Sequence, residues 1–242
     1  MRILIIRHAD PDYEIDGLTD VGKIEAELLS QKLCKEKIDK IYCSPLGRAK
    51  LTAKPTADKL CMDVEICDFL REFSYAEIER FDDNPDKIAW DLLPEFVLES
   101  PMLYDTKKWR ELDFVKKYDM PKYYDKVCKD FDDILEKHGY KREKAVYKVE
   151  KPNHDTIAFF CHYGLSCVLL SHIANCSPYS FWQNFAMPPS SVTVIHTEER
   201  REGIASLRTQ CYGDTSHLYI ADRKPSFSAR FCECFKDNTR HD

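Results

Sequence analysis

Four side chains suited to phosphate chemistry stand directly after apolar runs of this chain. Arg7-His8 follows Ile3–Ile6, the segment Ser44 to Arg48 follows an apolar stretch ending at Cys43, and His162 follows Thr156–Cys161. A transferring phosphoryl group keeps negative charge on its peripheral oxygens through the transition state. Arginine meets such oxygens with a planar, bidentate fork, so Arg7 and Arg48 make a candidate clamp. Imidazole titrates near neutral pH, so one histidine can attack phosphorus as a neutral nucleophile while another stays cationic. Capture of the phosphoryl group on a ring nitrogen divides the transfer into two easier steps. The leaving alkoxide then needs a proton donor, commonly a carboxylic acid with a raised pKa. Taken singly, each residue has a plainer role: a loop histidine, a strand-end ion pair, a solvated helix arginine, a core histidine. Four such accidents at matching positions are improbable together.

The flanking elements decide whether these residues meet. Ile3–Ile6 is a short unbroken apolar run, the pattern of a central strand buried on both faces. Residues 8–17 are polar, contain Pro11 and Gly17, and read as a loop. Thr19 suits the N-cap of a helix reaching about Lys35, with Val21, Ile24, Leu28 and Leu29 as its apolar face. Asp39–Cys43 reads as a second strand. Ser44 as N-cap and Pro45 at the first helical position predict a helix to about Leu60, kinked or broken at Pro55. Such a helix start also aims backbone N–H groups at an anion. Residues 63–67 suit a third, short strand. Between 73 and 152 the chain becomes rich in charge and aromatics, including Tyr75, Trp90, Tyr104 and Trp109, with Pro85, Pro94, Pro101 and Pro121. That composition predicts a mostly helical insertion with one longer helix near 121–138.

Thr156–Cys161 restores the strand pattern, His162-Tyr163-Gly164 is a tight connection, and Leu165–Ala174 is an apolar helix. Ser191–Thr197 and Ile204–Tyr212, joined by the polar Glu198–Gly203, suit an antiparallel hairpin at a sheet edge. The last 18 residues, from Pro225, read as a tail packed on the surface. The alternation predicts an α/β class: a three-layer α/β/α sandwich with a mostly parallel sheet, an antiparallel edge strand and a mainly helical cap insertion at about 73–155. One domain over 1–242 is expected. Ligands of such sheets sit beyond the carboxyl ends of the strands, where Arg7, His8, Arg48 and His162 all fall.

These segments resemble the histidine phosphatase superfamily, also called the phosphoglycerate mutase-like family. Its opening Arg-His-Gly corresponds to Arg7-His8-Ala9, its Leu-Thr-x-x-Gly-x-x-Glu/Gln-Ala stretch to Leu18–Ala26, and its Ser-Pro-Leu-x-Arg-Ala-x-x-Thr-Ala stretch to Ser44–Ala53. The later catalytic histidine corresponds to His162-Tyr163-Gly164. The match spans about residues 1–72 and 156–220. The resemblance implies that His8 is the nucleophile and that Arg7, Arg48 and His162 bind and stabilise the phosphoryl group. It places a proton donor at Glu72, within Leu70-Arg71-Glu72, with Asp10, Glu77 and Glu79 as competing carboxylates. His217, in a late family-like segment, is expected to make a structural hydrogen bond. Asp10-Pro11-Asp12-Tyr13 departs from the pattern of phosphoglycerate mutases, which disfavours mutase activity.

The implied function is a metal-independent phosphomonoester hydrolase acting on a small phosphorylated metabolite through phosphohistidine. The alternatives are a phosphoglycerate-type mutase and a catalytically inactive phosphate-binding module. No cofactor is expected: GxGxxG and GxxxxGK[ST] are absent, and the chain has only seven glycines. A net charge of −6 argues against a general nucleic-acid partner. No run approaches the ~20 apolar residues of a membrane span. The first residues lack the pattern of a signal peptide, so a cytoplasmic location is the default. The eleven cysteines, several within apolar runs, read as free thiols, and Cys232/Cys234 as incidental. Nothing in the sequence specifies an oligomeric state.

Overall fold

The structure, a computed structural model, describes residues 1–73 and 89–236. Tyr75, Glu77, Glu79, Pro85 and His241 lie outside the described residues. In chain order the first elements are β1 (Arg2–Arg7), β2 (Pro11–Asp12), β3 (Gly17–Leu18), α1 (Asp20–Leu33), β4 (Lys40–Cys43), α2 (Gly47–Leu60) and β5 (Val64–Ile66). After the 3-10 turn Asp68–Leu70 come α3 (Pro94–Glu99), α4 (Asp113–Lys117), α5 (Met120–Lys137), β6 (Tyr140–Glu143) and β7 (Val146–Val149). The chain continues with β8 (Thr156–Cys161), α6 (Tyr163–Ala174), α7 (Tyr179–Trp182), β9 (Val192–Arg201), β10 (Ile204–Asp214) and α8 (Ser216–Ile220).

Eight strands form one sheet in the order β5-β4-β8-β1-β9-β10-β7-β6. The strands β5, β4, β8 and β1 run parallel, and the antiparallel edge comprises the other four. The hairpin β9–β10 therefore lies inside the sheet and not at its rim, because β6–β7 from the otherwise helical insertion pairs outside it.

Alternation along the central strands divides the core between two faces. Ile3 and Ile5 of β1 and Ile157 and Phe159 of β8 join the cluster built on α5 and α6, with Phe131, Val127 and Val168. Leu4 and Ile6, with Ala158 and Phe160, face Leu29 and Leu33 of α1 and Ala49 and Ala53 of α2. Both faces of these strands are thus covered, which explains their unbroken apolar sequence.

The two site-bearing helices differ from expectation. Thr19 does cap α1, accepting from the Gly22 N–H at 3.0 Å. Its buried face is Gly22, Glu25, Ala26, Leu29 and Leu33, whereas Val21 and Ile24 are exposed. The helix turns its small residues inward because it must seat on the loop after β1. A Cβ on Gly22 would lie 2.1 Å from the Asp10 carbonyl oxygen. Gly47 has the same reason to be glycine, with its missing Cβ 2.1 Å from the Asp16 carbonyl oxygen. α2 begins at Gly47 with Leu46 as its cap, not at Ser44-Pro45, because Ser44 is drawn into the site. It runs unbroken through Pro55. The loop 8–17 also contains half of the small hairpin β2–β3.

The insertion is mainly helical, and its aromatics extend the sheet's core instead of enclosing a separate one. Trp90 and Trp109 are buried in the cluster that holds Ile5 and Phe159. The buried Cys43, Cys128, Cys161 and Cys167 are free thiols. Burial raises the Cys43 and Cys161 thiols to about 12, so they behave as inert core groups. Among the described residues no helix is long and apolar enough to cross a membrane.

Gly22→Ala is expected to destabilise the chain by about 1–3 kcal/mol, the usual penalty for overpacking a tight contact. Thermal unfolding checks this, and an unchanged melting temperature would contradict the close seating of α1 on the Asp10 loop.

Candidate active site

Parallel pairing of β1 with β8, in the register Arg7↔Cys161, brings the residues after both strands to the same edge of the sheet. His8 continues the pairing by donating its N–H to the Cys161 carbonyl at 2.9 Å. The His8 and His162 rings consequently lie with centroids 5.1 Å apart. β4, on the far side of β8, delivers Ser44, whose N–H donates to the Phe160 carbonyl at 2.9 Å. Arg7, His8, Arg48, Glu72 and His162 thus all gather at the carboxyl ends of the parallel strands. Arg7, His8 and His162 are 1%, 2% and 0% exposed.

The backbone contact of His8 defines its tautomer. His8 Nδ1 lies 2.7 Å from the Ala9 carbonyl oxygen, which can only accept, so Nδ1 carries the proton and Nε2 the lone pair. His162 Nε2 lies 2.8 Å from Ser44 Oγ. Ser44 Oγ also accepts from the Leu46 N–H at 3.2 Å, which leaves its O–H able to donate to Nε2; the proton of His162 then stands on Nδ1. That Nδ1–H is buried and has no partner among the described residues. Burial is the largest influence on both rings and holds both well below the ordinary histidine value; Arg7 and Arg48 push the same way. At neutral pH both imidazoles are therefore neutral. The expectation of a cationic partner histidine is corrected here: in a buried site shared with two guanidiniums, a third positive charge is disfavoured.

The arginines are held from behind. Arg48 Nη1 donates to Asp16 Oδ1 at 2.7 Å, and the Tyr13 ring lies 5.4 Å from its guanidinium carbon. Arg7 donates through Nη1 to the Met187 and Ser228 carbonyls, the latter at 2.9 Å. The Nε of each is buried without a partner among the described residues. Two guanidinium Nε–H donors and the His162 Nδ1–H are thus left unsatisfied in one buried cluster. Such donors are expensive to bury alone, and acceptor oxygens such as those of an anion are what they lack.

Glu72 sits against the start of α6. Its Oε1 accepts from the Phe73 N–H at 2.8 Å and the Leu165 N–H at 2.9 Å, and Oε2 accepts from the Gly164 N–H at 3.3 Å. Burial dominates and raises its carboxyl above the ordinary glutamate value, although these N–H groups and Arg48 oppose the shift. The helix that begins at His162 therefore fixes Glu72 two residues from that histidine. Asp10 is engaged elsewhere, accepting from the Thr19 hydroxyl at 2.7 Å. His217 makes the structural contact expected of it, 3.0 Å from Ser190 Oγ, while the Ser190 N–H donates to the His8 carbonyl.

Sequence reading missed three supporting residues. Ser44 was read as a helix cap and instead orients His162. Asp16 anchors Arg48 and also accepts from the Gly47 N–H at 2.6 Å. Thr52 holds the Ala9 N–H at 2.9 Å and donates to the Arg48 carbonyl at 2.8 Å, tying the loop after His8 to α2. Only Thr52 gave a signal, standing one helical turn after Arg48. Among the described residues no group of three histidine, cysteine or acidic side chains is arranged to hold a metal ion.

Comparison with known proteins agrees with this geometry. Residues 3–96 match the model of the histidine phosphatase superfamily, branch 1. Phosphoserine phosphatase 1 of Hydrogenobacter thermophilus is 29% identical over 226 residues, covering 88% of this chain and 94% of the relative. The crystal structure of a phosphoserine phosphatase from Entamoeba histolytica superposes with a TM-score of 0.58 at 16% identity, covering 90% of this chain and 98% of that one. A mycobacterial glucosyl-3-phosphoglycerate phosphatase gives a TM-score of 0.54 at 16% identity over 90% of this chain and 99% of that one. The structural likenesses concern the fold, and the sequence matches make the chain similar to the histidine phosphatase superfamily, over residues 3–96 for the family model.

Proposed function

We propose that the chain hydrolyses small phosphomonoesters by transferring the phosphoryl group to Nε2 of His8 and then to water. The observation that carries this reading is the pinned tautomer of His8, whose lone pair belongs to Nε2, within a cluster of buried donors that lack partners. Arg7, Arg48 and His162 Nδ1–H take the peripheral oxygens as charge spreads over them in the transition state. Glu72, with its raised carboxyl, gives its proton to the leaving alkoxide and then accepts one from the attacking water. Two guanidiniums stand where a divalent cation would otherwise neutralise the phosphoryl oxygens, so the reaction runs without a metal. The names of the relatives make phosphoserine and phosphoglycerate-type esters the first substrates to try.

Hydrolysis of p-nitrophenyl phosphate in EDTA is the first test. Activity is expected to persist in EDTA and to vanish in His8→Ala, while turnover by that variant would remove His8 as the nucleophile. Glu72→Gln is expected to lower kcat on phosphoserine by ~10²–10⁴, the span of general-acid contributions. The loss on p-nitrophenyl phosphate should be far smaller, since nitrophenolate leaves without a proton. Equal losses on both esters would deny Glu72 the donor role.

The pH dependence follows from the two shifts. His8 must be neutral to attack, and its pKa is lowered, so the acid limb of kcat/KM is expected below pH 6.5. Glu72 must be protonated to donate, and its pKa is raised, so the alkaline limb is expected above pH 4.5. The groups titrate as a coupled set, and the substrate phosphate ionises near ~6 with any enzyme. The decisive comparison is therefore between variants: Glu72→Gln should alter the alkaline limb alone, and an unaltered profile would contradict the assignment.

A further inference from the structure

The expected surface tail does more than cover the molecule. Residues 225–234 touch the cluster at Arg7 and its surroundings at Glu25 and Tyr163. Ser228 accepts from Arg7 twice: through its carbonyl from Nη1 at 2.9 Å and through its hydroxyl from Nη2 at 3.3 Å. The Ser226 N–H donates to Glu25 Oε1 at 3.2 Å. The Phe231 ring packs on Tyr163 with centroids 5.5 Å apart, and Tyr163 in turn lies 5.8 Å from the Arg7 guanidinium carbon.

Glu25 is a buried carboxylate that the mechanism does not use. Its other oxygen, Oε2, accepts from the Asp10 N–H at 2.8 Å, two residues beyond the nucleophile. One carboxylate therefore ties the tail to the loop carrying His8. The tail holds its shape through left-handed backbone at Ala229, with φ 53°, and at Phe231, with φ 52°. Non-glycine residues adopt that region at a cost, so the contacts to Arg7, Glu25 and Tyr163 must offset it.

We propose that this C-terminal strap is a positioning element of the active site, in which Ser228 sets the orientation of the Arg7 guanidinium and Glu25 latches the strap to the nucleophile loop. The division of labour among the Arg7 nitrogens supports this. Nη1 is pinned by two carbonyls, Met187 and Ser228, which fixes the plane of the group. The edge carrying Nε keeps an unsatisfied donor for a phosphoryl oxygen. A guanidinium fixed in advance loses less freedom when it binds, and a misplaced one forfeits its bidentate geometry. The inference rests on the phosphatase reading for the identity of the anion.

The test is calorimetric titration of the full-length protein with inorganic phosphate, which requires no turnover. Ala229→Pro cannot adopt φ 53° and also restricts Ser228 before it, so it displaces the strap at a half-buried stretch of chain. It is expected to raise the phosphate Kd on the order of tenfold, the loss of a hydrogen bond to a charged group, with the melting temperature near that of wild type. Ala229→Gly accepts the left-handed backbone and is expected to bind as wild type does. Ser226→Pro, which removes the N–H donated to Glu25 together with the Ser226 hydroxyl, provides a second route and should weaken binding in the same direction. Unchanged phosphate affinity in both proline variants would overturn the strap's role while leaving the phosphatase reading intact. A wild type that binds no phosphate but hydrolyses esters would overturn the strap's role in holding Arg7 ready. A wild type that does neither would overturn the phosphatase reading and the strap's role with it.

Discussion

The site depends on one pairing, the parallel ladder between β1 and β8. The two strands are far apart in sequence, and their register sets Arg7 opposite Cys161, so the next residue of each chain is a histidine. Shift that register by one and every side chain of β1 changes face: Ile3 and Ile5 would leave the α5–α6 core, and Leu4 and Ile6 would leave the α1–α2 core. The apolar pattern that stabilises the sandwich therefore also places the histidine pair. Stability and chemistry here share a single constraint.

Packing two guanidiniums and two imidazoles into one buried edge creates an electrostatic problem. The molecule solves it by keeping both histidines neutral and backing each cation with oxygen. Asp16 and the Tyr13 ring serve Arg48, while the Met187 and Ser228 carbonyls serve Arg7. Glu72 is held by the N–H groups at the start of α6. The contacts to the arginines leave the Nε of each without a partner among the described residues. Preorganisation of this kind is what lets charged donors act without rearranging during the reaction.

Much of this was legible in the sequence because the strands announce themselves by composition and the functional residues follow them immediately. Arg7, His8 and His162 needed only the rule that ligands sit beyond strand carboxyl ends. Less visible were features decided by tertiary contact. The apolar side of α1 was misread because Val21 and Ile24 look like a core stripe, yet close approach to the Asp10 carbonyl selects the face carrying Gly22 and Ala26. Ser44 has the sequence signature of a helix cap, and only its position beside His162 shows that its hydroxyl is committed there. The pairing of β6–β7 outside β10, and the strap crossing to Arg7, join residues remote in sequence through short or irregular segments that carry no periodic signal.

The most direct measurement of the central claim is the site and regiochemistry of the phosphoenzyme, trapped by rapid quench at alkaline pH and read by phosphorus NMR and peptide mass spectrometry. The geometry requires phosphate on Nε2 of His8, because Nδ1 is committed to the Ala9 carbonyl. Phosphate on Nδ1, on His162, or on a residue outside the cluster would contradict it.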